Sequence, residues 1–482
     1  MTEIPRLSDE VRAGLPVEVQ AYIAGLEALV GELQVQVGTL QGQVGELEVR
    51  VRQTSRNSSR PPSSDPPSAP PRPRRAASGR KRGGQRGHPR HERKLLPVSE
   101  VDEVVEHRPL ACPHCHEELA EDLPDAAEPK RQQVWEVPEV KPHVTEHRYH
   151  RVSCPGCGTV VEAGGPAGVP EGAFGARLVA LLGLLHGRYR LSVRESVALL
   201  LDVFGLPISP GSVMDLCQLL SRALATPYAD GQEAVAAASS SNVDETGWKQ
   251  AGQRRWLWVA VTGACTIFMI ATQRSGQALK ALLGKMFHGI VTSDRFKTYL
   301  TVPVARRQVC WAHLKRNWQA FRERDGAVGE WGQQGMELIE RLFDFWHRFR
   351  AGKWTRRELQ AHMRPVQVEL RRLLEQGYTL PLTKARAFSR EVGDLWPALW
   401  TFLYVEGIEP TNNAAERALR PAVLWRKGCF GTQSDAGDMF VARILSVVAT
   451  CRQQEHHLLT FLTDAVRAYQ AGQPAPTLCP TP

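Results

Sequence analysis

The period of the hydrophobic pattern changes several times along the chain, and each change marks a candidate element. From residue 23 to 51 apolar residues recur at heptad spacing: Ile23, Val30, Val37, Val44 and Val51 alternate with Leu26, Leu33, Leu40 and Leu47. β-Branched residues at one seam position with Leu at the other favour a parallel two-stranded coiled coil. Gly31, Gly38, Gly42 and Gly45 fall off that seam, yet each lowers helix stability by up to about 1 kcal/mol relative to Ala, so the zipper is weak alone. An amphipathic helix packed on its own domain fits the same pattern. From Arg52 to Lys94 the periodicity vanishes into Pro, Ser, Gly and Arg, with thirteen basic residues against Asp65 and Glu92. Such a segment buries too little apolar surface to fold.

Further along, Val134 to Val152 alternates as strands do. Beyond Gly172 the period is helical: Val193 to Phe204, a turn at Gly205 to Ser209, then Pro210 to Leu224. Ser209 suits an N-cap and Pro210 the first helical position, giving a helix-turn-helix or an ordinary helical hairpin. Strand patterns follow at Asn242–Thr246, Arg255–Thr262 and Thr266–Thr272, then a helix over Ser275–Phe287 and a short strand over Gly289–Ser293. Three strands, a helix and a fourth strand open a ribonuclease-H-like domain. In that order Asp244 lies on the first strand and Asp294 ends the fourth, as spatial neighbours.

Composition narrows the class. The 482 residues, 42% apolar, suffice for two to four domains, and the formal charge of +9 (60 Lys and Arg against 51 Asp and Glu) suits a polyanionic partner. Arg74, Arg75, Arg80, Lys81 and Arg82 concentrate that charge in the linker, where they suit DNA phosphates or serve only to solvate a tether. Lacking a membrane-spanning run or a secretory signal, the chain is expected in the cytoplasm, near the nucleoid. Ten cysteines are too few for a disulfide scaffold. Four of them, Cys112, Cys115, Cys154 and Cys157, form two CPxC pairs that read as two knuckles joined by a hairpin around one structural Zn2+.

The third acid of the set is Glu416, in Thr411-Asn-Asn-Ala-Ala-Glu-Arg-Ala-Leu-Arg420-Pro421. Asn412, Glu416 and Arg420, four apart, share a helical face. Asp244, Asp294 and Glu416 suit two Mg2+ (or Mn2+) ions about 3.5–4 Å apart, the arrangement that serves in-line attack at phosphodiesters. Arg420 and Lys427 suit phosphate contacts beside them, and Pro421 is expected to cut this helix short. Singly each acid has a plainer explanation: Asp244 in a turn, Asp294 as a helix cap, Asn413 to Glu416 as a capping box.

The pieces Val243-Asp-Glu-Thr-Gly-Trp248, Ser293-Asp-Arg-Phe296, Cys310-Trp-Ala-His-Leu-Lys-Arg316, Pro410 to Pro421 and Arg426-Lys-Gly428 resemble the transposases of the insertion sequence 66 family. The resemblance implies a DDE transposase with Asp244, Asp294 and Glu416 as its triad, acting on terminal inverted repeats and target DNA. It also implies a helical insertion before the Glu416 helix, and small accessory proteins encoded by the same element. Cys310-x-x-His313 is similar to a Cys/Asp-x-x-His signature of transposases. As two ligands make half a zinc site, His313, with Arg316, is read as a DNA contact or packing pair.

The expected fold is a multidomain α+β chain. It comprises a coiled coil (1–51), a basic linker (52–94), a zinc-binding module (95–170) and a helix-turn-helix region (171–235). The ribonuclease-H-like core (236–315 and 401–472), an all-helical insertion (316–400) and a tail (473–482) complete it. A homodimer or larger assembly follows from the heptads, and no membrane partner is expected. A structure-selective nuclease of the same fold and a catalytically silent DNA-binding protein are the alternatives.

Overall fold

The computed structural model describes residues 8–51, 53–58, 65, 94–165, 169–170 and 172–479. Arg74, Arg75, Arg80, Lys81 and Arg82 lie outside the described residues. The chain divides into two units, one of residues 70–146 with 199–207 and one of the remainder.

In the larger unit a short helix α1 (Asp9–Ala13) precedes α2 (Val17–Val51), 35 residues long. Its seam is open: Leu33, Leu40 and Leu47 are 49%, 58% and 56% exposed.

The smaller unit holds the first CPxC pair. Cys112 N–H donates to Glu117 O (2.9 Å), His116 N–H donates to Cys112 O (2.9 Å), and His116 takes the left-handed conformation at φ 61°. The second pair, in the larger unit, repeats this turn with Cys154, Thr159 and Gly158 (2.8 and 2.8 Å, φ 74°). It is closed by β1 (Arg151–Ser153) pairing antiparallel with β2 (Val160–Glu162). A bridge between Ala111 and Glu118 closes the first in the same way. The strand run expected at Val134–Val152 therefore shrinks to β1, since each knuckle carries its own small ladder instead of sharing a hairpin.

Helices α3 (Ala176–Gly183), α4 (Val193–Phe204), α5 (Pro210–Ala223) and α6 (Ala225–Ala237) follow. Gly205 is left-handed at φ 62°, and Ser209 caps α5 by accepting from Ser212 N–H at 3.0 Å, with Pro210 at the first helical position as the sequence predicts.

The sheet comprises β3 (Ser240–Gln250), β4 (Gln253–Val261), β5 (Thr266–Ala271), β6 (Ile290–Ser293) and β7 (Arg307–Val309), in the order β5-β4-β3-β6-β7. β3 to β5 are antiparallel, whereas β6 joins β3, and β7 joins β6, in parallel. The run Leu257 to Ala260 is fully buried, because helices cover both sheet faces there and alternation has no exposed side to mark. The helix α7 (Gly276–Leu283) connects β5 to β6, capped by Ser275. β7 has no counterpart in the sequence prediction.

Beyond β7, α8 (Trp311–Arg322), α9 (Gly326–Arg350), α10 (Arg356–Gly377), α11 (Thr383–Asp394), α12 (Trp396–Leu399) and α13 (Thr401–Tyr404) enclose a second core. Its centre is aromatic: Trp318 lies 4.3 Å from Trp331 and 5.2 Å from Phe388 between ring centroids. The chain then returns through α14 (Asn413–Cys429), α15 (Asp435–Gln453) and α16 (Leu458–Gln470), and buries Leu478 and Cys479. α14 runs straight through Pro421, against expectation. Pro421 forgoes the bond to Arg417 O, and Arg417 lies on the exposed side of the helix. Among the described residues no helix is long and apolar enough to cross a membrane.

Close approach of α8 and α9 depends on two glycines. A Cβ at Gly332 would overlap the backbone of Phe321 and Arg322, and one at Gly335 would enter the Trp318 ring. Gly332→Ala is expected to cost about 1–3 kcal/mol, as overpacking does. Urea unfolding followed by Trp fluorescence measures it, and an unchanged midpoint would mean that the two helices separate freely.

Candidate functional site

The parallel register of β3 with β6 pairs Asn242 with Thr292, and two further residues along each strand bring Asp244 level with Asp294. Asp294 leaves β6 directly and its Oδ1 accepts from Phe296 N–H at 2.8 Å, a local turn contact leading into the short 3-10 helix Lys297–Thr301. Asp244 stands mid-strand opposite Val259, so it closes no turn. Glu416 arrives on α14. Its backbone N–H donates to Asn412 O at 3.2 Å, and no side chain caps this helix, so the capping-box reading does not hold.

The side chain that would have capped α14 is engaged elsewhere. Asn412 is completely buried; its Nδ2 donates to Val243 O at 2.8 Å, and its Oδ1 accepts from Asn242 Nδ2 at 3.1 Å. These bonds bolt the first turn of α14 to the strand carrying Asp244.

The three acids are close enough to feel one another. The Asp244 carboxyl is held well above the ordinary carboxylate range, first by burial, then by the charges of Glu245, Asp294 and Glu416. Cations surround the cluster without filling it. The buried Arg307 donates to Asp294 O at 3.2 Å, and Arg316 approaches Glu416 Oε2 at 3.5 Å. Arg295 pairs instead with Glu391 at 2.6 Å and stacks on Phe388.

Glu245, the neighbour of Asp244, was missed by sequence reasoning. It is buried, paired with Arg274, and accepts from Tyr299 O–H. Burial raises its carboxyl, while Tyr299 and Arg274 pull it down. Arg274 also stacks over Phe296, 3.4 Å from the ring centroid, so this group fixes the turn that follows Asp294. Nothing in a lone Asp-Glu pair singles it out.

The remaining candidates separate. His313 Nδ1 faces Glu416 Oε1 at 3.5 Å, so His313 and Arg316 both point at the third acid. Arg420 is exposed, and Arg316 takes the place beside Glu416 expected for it. Lys427 lines an open cleft of about 540 Å3 with Trp248, Lys249, Arg254, Arg426 and Phe430. Arg426 donates there to Thr246 Oγ1 at 3.2 Å and to Gly247 O. Phe430, 78% exposed and left-handed at φ 60°, forms its rim. Cys112 and Cys115 fall in one unit and Cys154 and Cys157 in the other. Within each pair a thiol is lowered by local hydrogen bonds: Cys112 first by the Cys115 backbone, Cys157 first by the Thr159 side chain. That bias toward thiolate suits metal ligands.

Residues 171–439, more than half of the chain, match the transposase IS66 family. Residues 109–158, spanning both CPxC pairs, match the zinc-finger binding domain of transposase IS66, and residues 7–94 match a family of unknown function, DUF6444. No curated protein matches the chain.

The acid cluster carries a stability cost with a definite sign. A carboxyl raised in the folded state contributes most below its unfolded value, about 3.9 for Asp, and loses that contribution as pH rises through its folded value. Asp244→Asn is therefore expected to raise the Tm of the chain in Mg2+-free buffer at pH 7, the gain shrinking as pH falls toward ~4. Calorimetry at the two pH values reads it, and a Tm at pH 7 no higher than that of the parent would remove the cost inferred from burial and repulsion at Asp244.

Proposed function

This chain belongs to the transposase IS66 family, and from that premise we propose that it cleaves and joins DNA strands at a site built from Asp244, Asp294 and Glu416. The observation that carries the reading is the convergence of the three acids, expressed in the charges of Asp294 and Glu416 acting on Asp244. The strand order β5-β4-β3-β6-β7, with its antiparallel half and parallel half, supports a ribonuclease-H-like core. The helices α8 to α13 are then the insertion between the sheet and α14.

Like charges held together without a cation are a standing cost, and hard carboxylate oxygens are the donors that Mg2+ accepts. The donor chemistry of the three carboxylates suits a divalent metal. When bound there, Mg2+ or Mn2+ supplies Lewis acidity at the attacking and leaving oxygens. The chain's own contribution is placement. β3 and β6 fix Asp244 and Asp294 side by side, Asn412 sets the height of Glu416 above them, and Arg316 restrains the far oxygen of Glu416. Arg307, beneath Asp294, offsets part of the negative charge from the buried side.

DNA reaches this site over a basic surface. Lys249, Arg254, Lys427 and Arg420 offer phosphate contacts, and Phe430 offers a stacking face in the cleft. The helix-turn-helix of α4 and α5, the zinc module and the basic linker are assigned to the terminal inverted repeats. The CPxC cysteines are assigned to structural Zn2+, supported by the zinc-finger match over residues 109–158. The open leucine seam of α2 is assigned to pairing with a second copy of the chain.

Two measurements test these assignments. Glu416→Gln is expected to lower Mg2+-dependent joining of element-end DNA by about a thousandfold, several kcal/mol of transition-state stabilisation, with DNA binding intact. Undiminished joining removes Glu416 from the mechanism. Leu33→Lys combined with Leu40→Lys is expected to halve the mass seen in sedimentation velocity, and an unchanged mass would put self-association elsewhere in the chain.

A further inference from the structure

The pair Cys310 and His313 is half a metal site by itself, and the fold supplies what the pair lacks. Cys310 follows β7 and caps α8, His313 lies one turn on, and Glu416 descends from α14 beside them. One ligand atom from each of the three lies within 4.8 Å of the others, the one such group of three among the described residues. Ligands around a tetrahedral zinc are roughly 3.3–3.8 Å apart, given bond lengths of ~2.0–2.3 Å. Small side-chain rotations close the difference.

Two of the three ligand atoms have no hydrogen-bond partner. His313 Nδ1 and Glu416 Oε1 are both buried and unsatisfied, 3.5 Å apart, a state that costs energy unless something sits between them. The third ligand atom, Cys310 Sγ, is buried and accepts from Asn412 N–H at 3.1 Å. Burial pushes this thiol up to about 11, with Asn412 N–H working against that shift, so the proton stays on sulfur until a cation displaces it.

We propose that Cys310, His313 and Glu416 form a three-ligand site for a thiophilic divalent cation, Zn2+ by its chemistry, distinct from the hard-metal site assigned to the triad. One thiolate and one carboxylate neutralise the ion, and His313 binds as neutral imidazole. The Cys310 proton leaves to solvent on binding. Glu416 is partly open, its side chain 29% exposed, which leaves a fourth position to water. Mg2+ does not compete for a buried thiol, because it selects oxygen ligands. Binding of the ion is independent of the catalytic reading. Its consequence rests on that reading: an ion here draws Glu416 Oε1 away from Asp244 and Asp294, so zinc opposes the Mg2+ reaction.

The test is a Co2+ titration of the full chain with its zinc module already loaded with Zn2+. A thiolate-to-cobalt absorption band saturating at one ion per chain is expected. Cys310→Ser should abolish it, and His313→Gln should weaken the affinity about tenfold or more, at least the loss that follows removal of a supporting residue. Thermal melts check that each variant folds; should Cys310→Ser fail to fold, His313→Gln, on a partly exposed side chain, carries the test. No band, or an undiminished band in both variants, overturns the site. Strand joining by Glu416→Gln, measured separately, distinguishes the two failures: an inactive variant with no cobalt band in the parent sinks the zinc site alone, while an active variant with the band present sinks the catalytic reading alone.

Discussion

The amide of Asn412 is the contact on which the rest of the arrangement depends. It joins three stretches of chain far apart in sequence: its side chain bonds to Val243 and Asn242 on β3, and its backbone N–H to the thiol of Cys310 after β7. A buried amide with both ends engaged has one low-energy placement, since leaving either end unpaired costs about 1–3 kcal/mol. The start of α14 is therefore fixed in height and rotation against the sheet. Glu416, one turn along, inherits that placement.

What Asn412 does from the sheet side, the helical insertion does from the other. Thr401 O–H donates to Arg307 O, and Gln308, wholly buried, accepts from Phe402 N–H at 2.8 Å. Trp311 N–H donates to Pro410 O at 2.9 Å and its indole donates to Leu399 O at 2.8 Å. These bonds tie β7 and α8 to the end of the insertion just before α14. Repulsion among the acids is thus resisted by a frame built mostly of amide and hydroxyl hydrogen bonds, which salt does not screen.

Much of this was legible in the sequence, for physical reasons that can be named. β3 to β5, α7 and β6 announced themselves through strand periods, turn glycines and a Ser cap, and Asp244 and Asp294 followed from strand order. β7 was hidden because Arg307 and Gln308 are buried polar residues, several of whose hydrogen bonds go to partners some ninety residues away. Pro421 misled because a proline inside a helix forgoes one bond without necessarily ending it, and here that bond lies on the exposed side. The knuckle ladders were misplaced because strands of three residues carry almost no periodic signal. Asn412 could be put on the right helical face, yet its role was unreadable because its partners lie about 170 positions upstream. The family match now stands behind the chain's class, while the roles of individual side chains rest on geometry.

The placement of α8 to α13 also orders events in time. Asp294 leaves the ribosome 122 residues before Glu416, which at ~5–20 residues per second is roughly 6–25 s of synthesis. During that interval the sheet can form, but its acidic cluster lacks a member, and Asn412 is not yet there to position one. A chain released early, anywhere within the insertion, carries the first two acids without the third. The full set of acids is thus available only to a polypeptide on which the whole insertion has already been made.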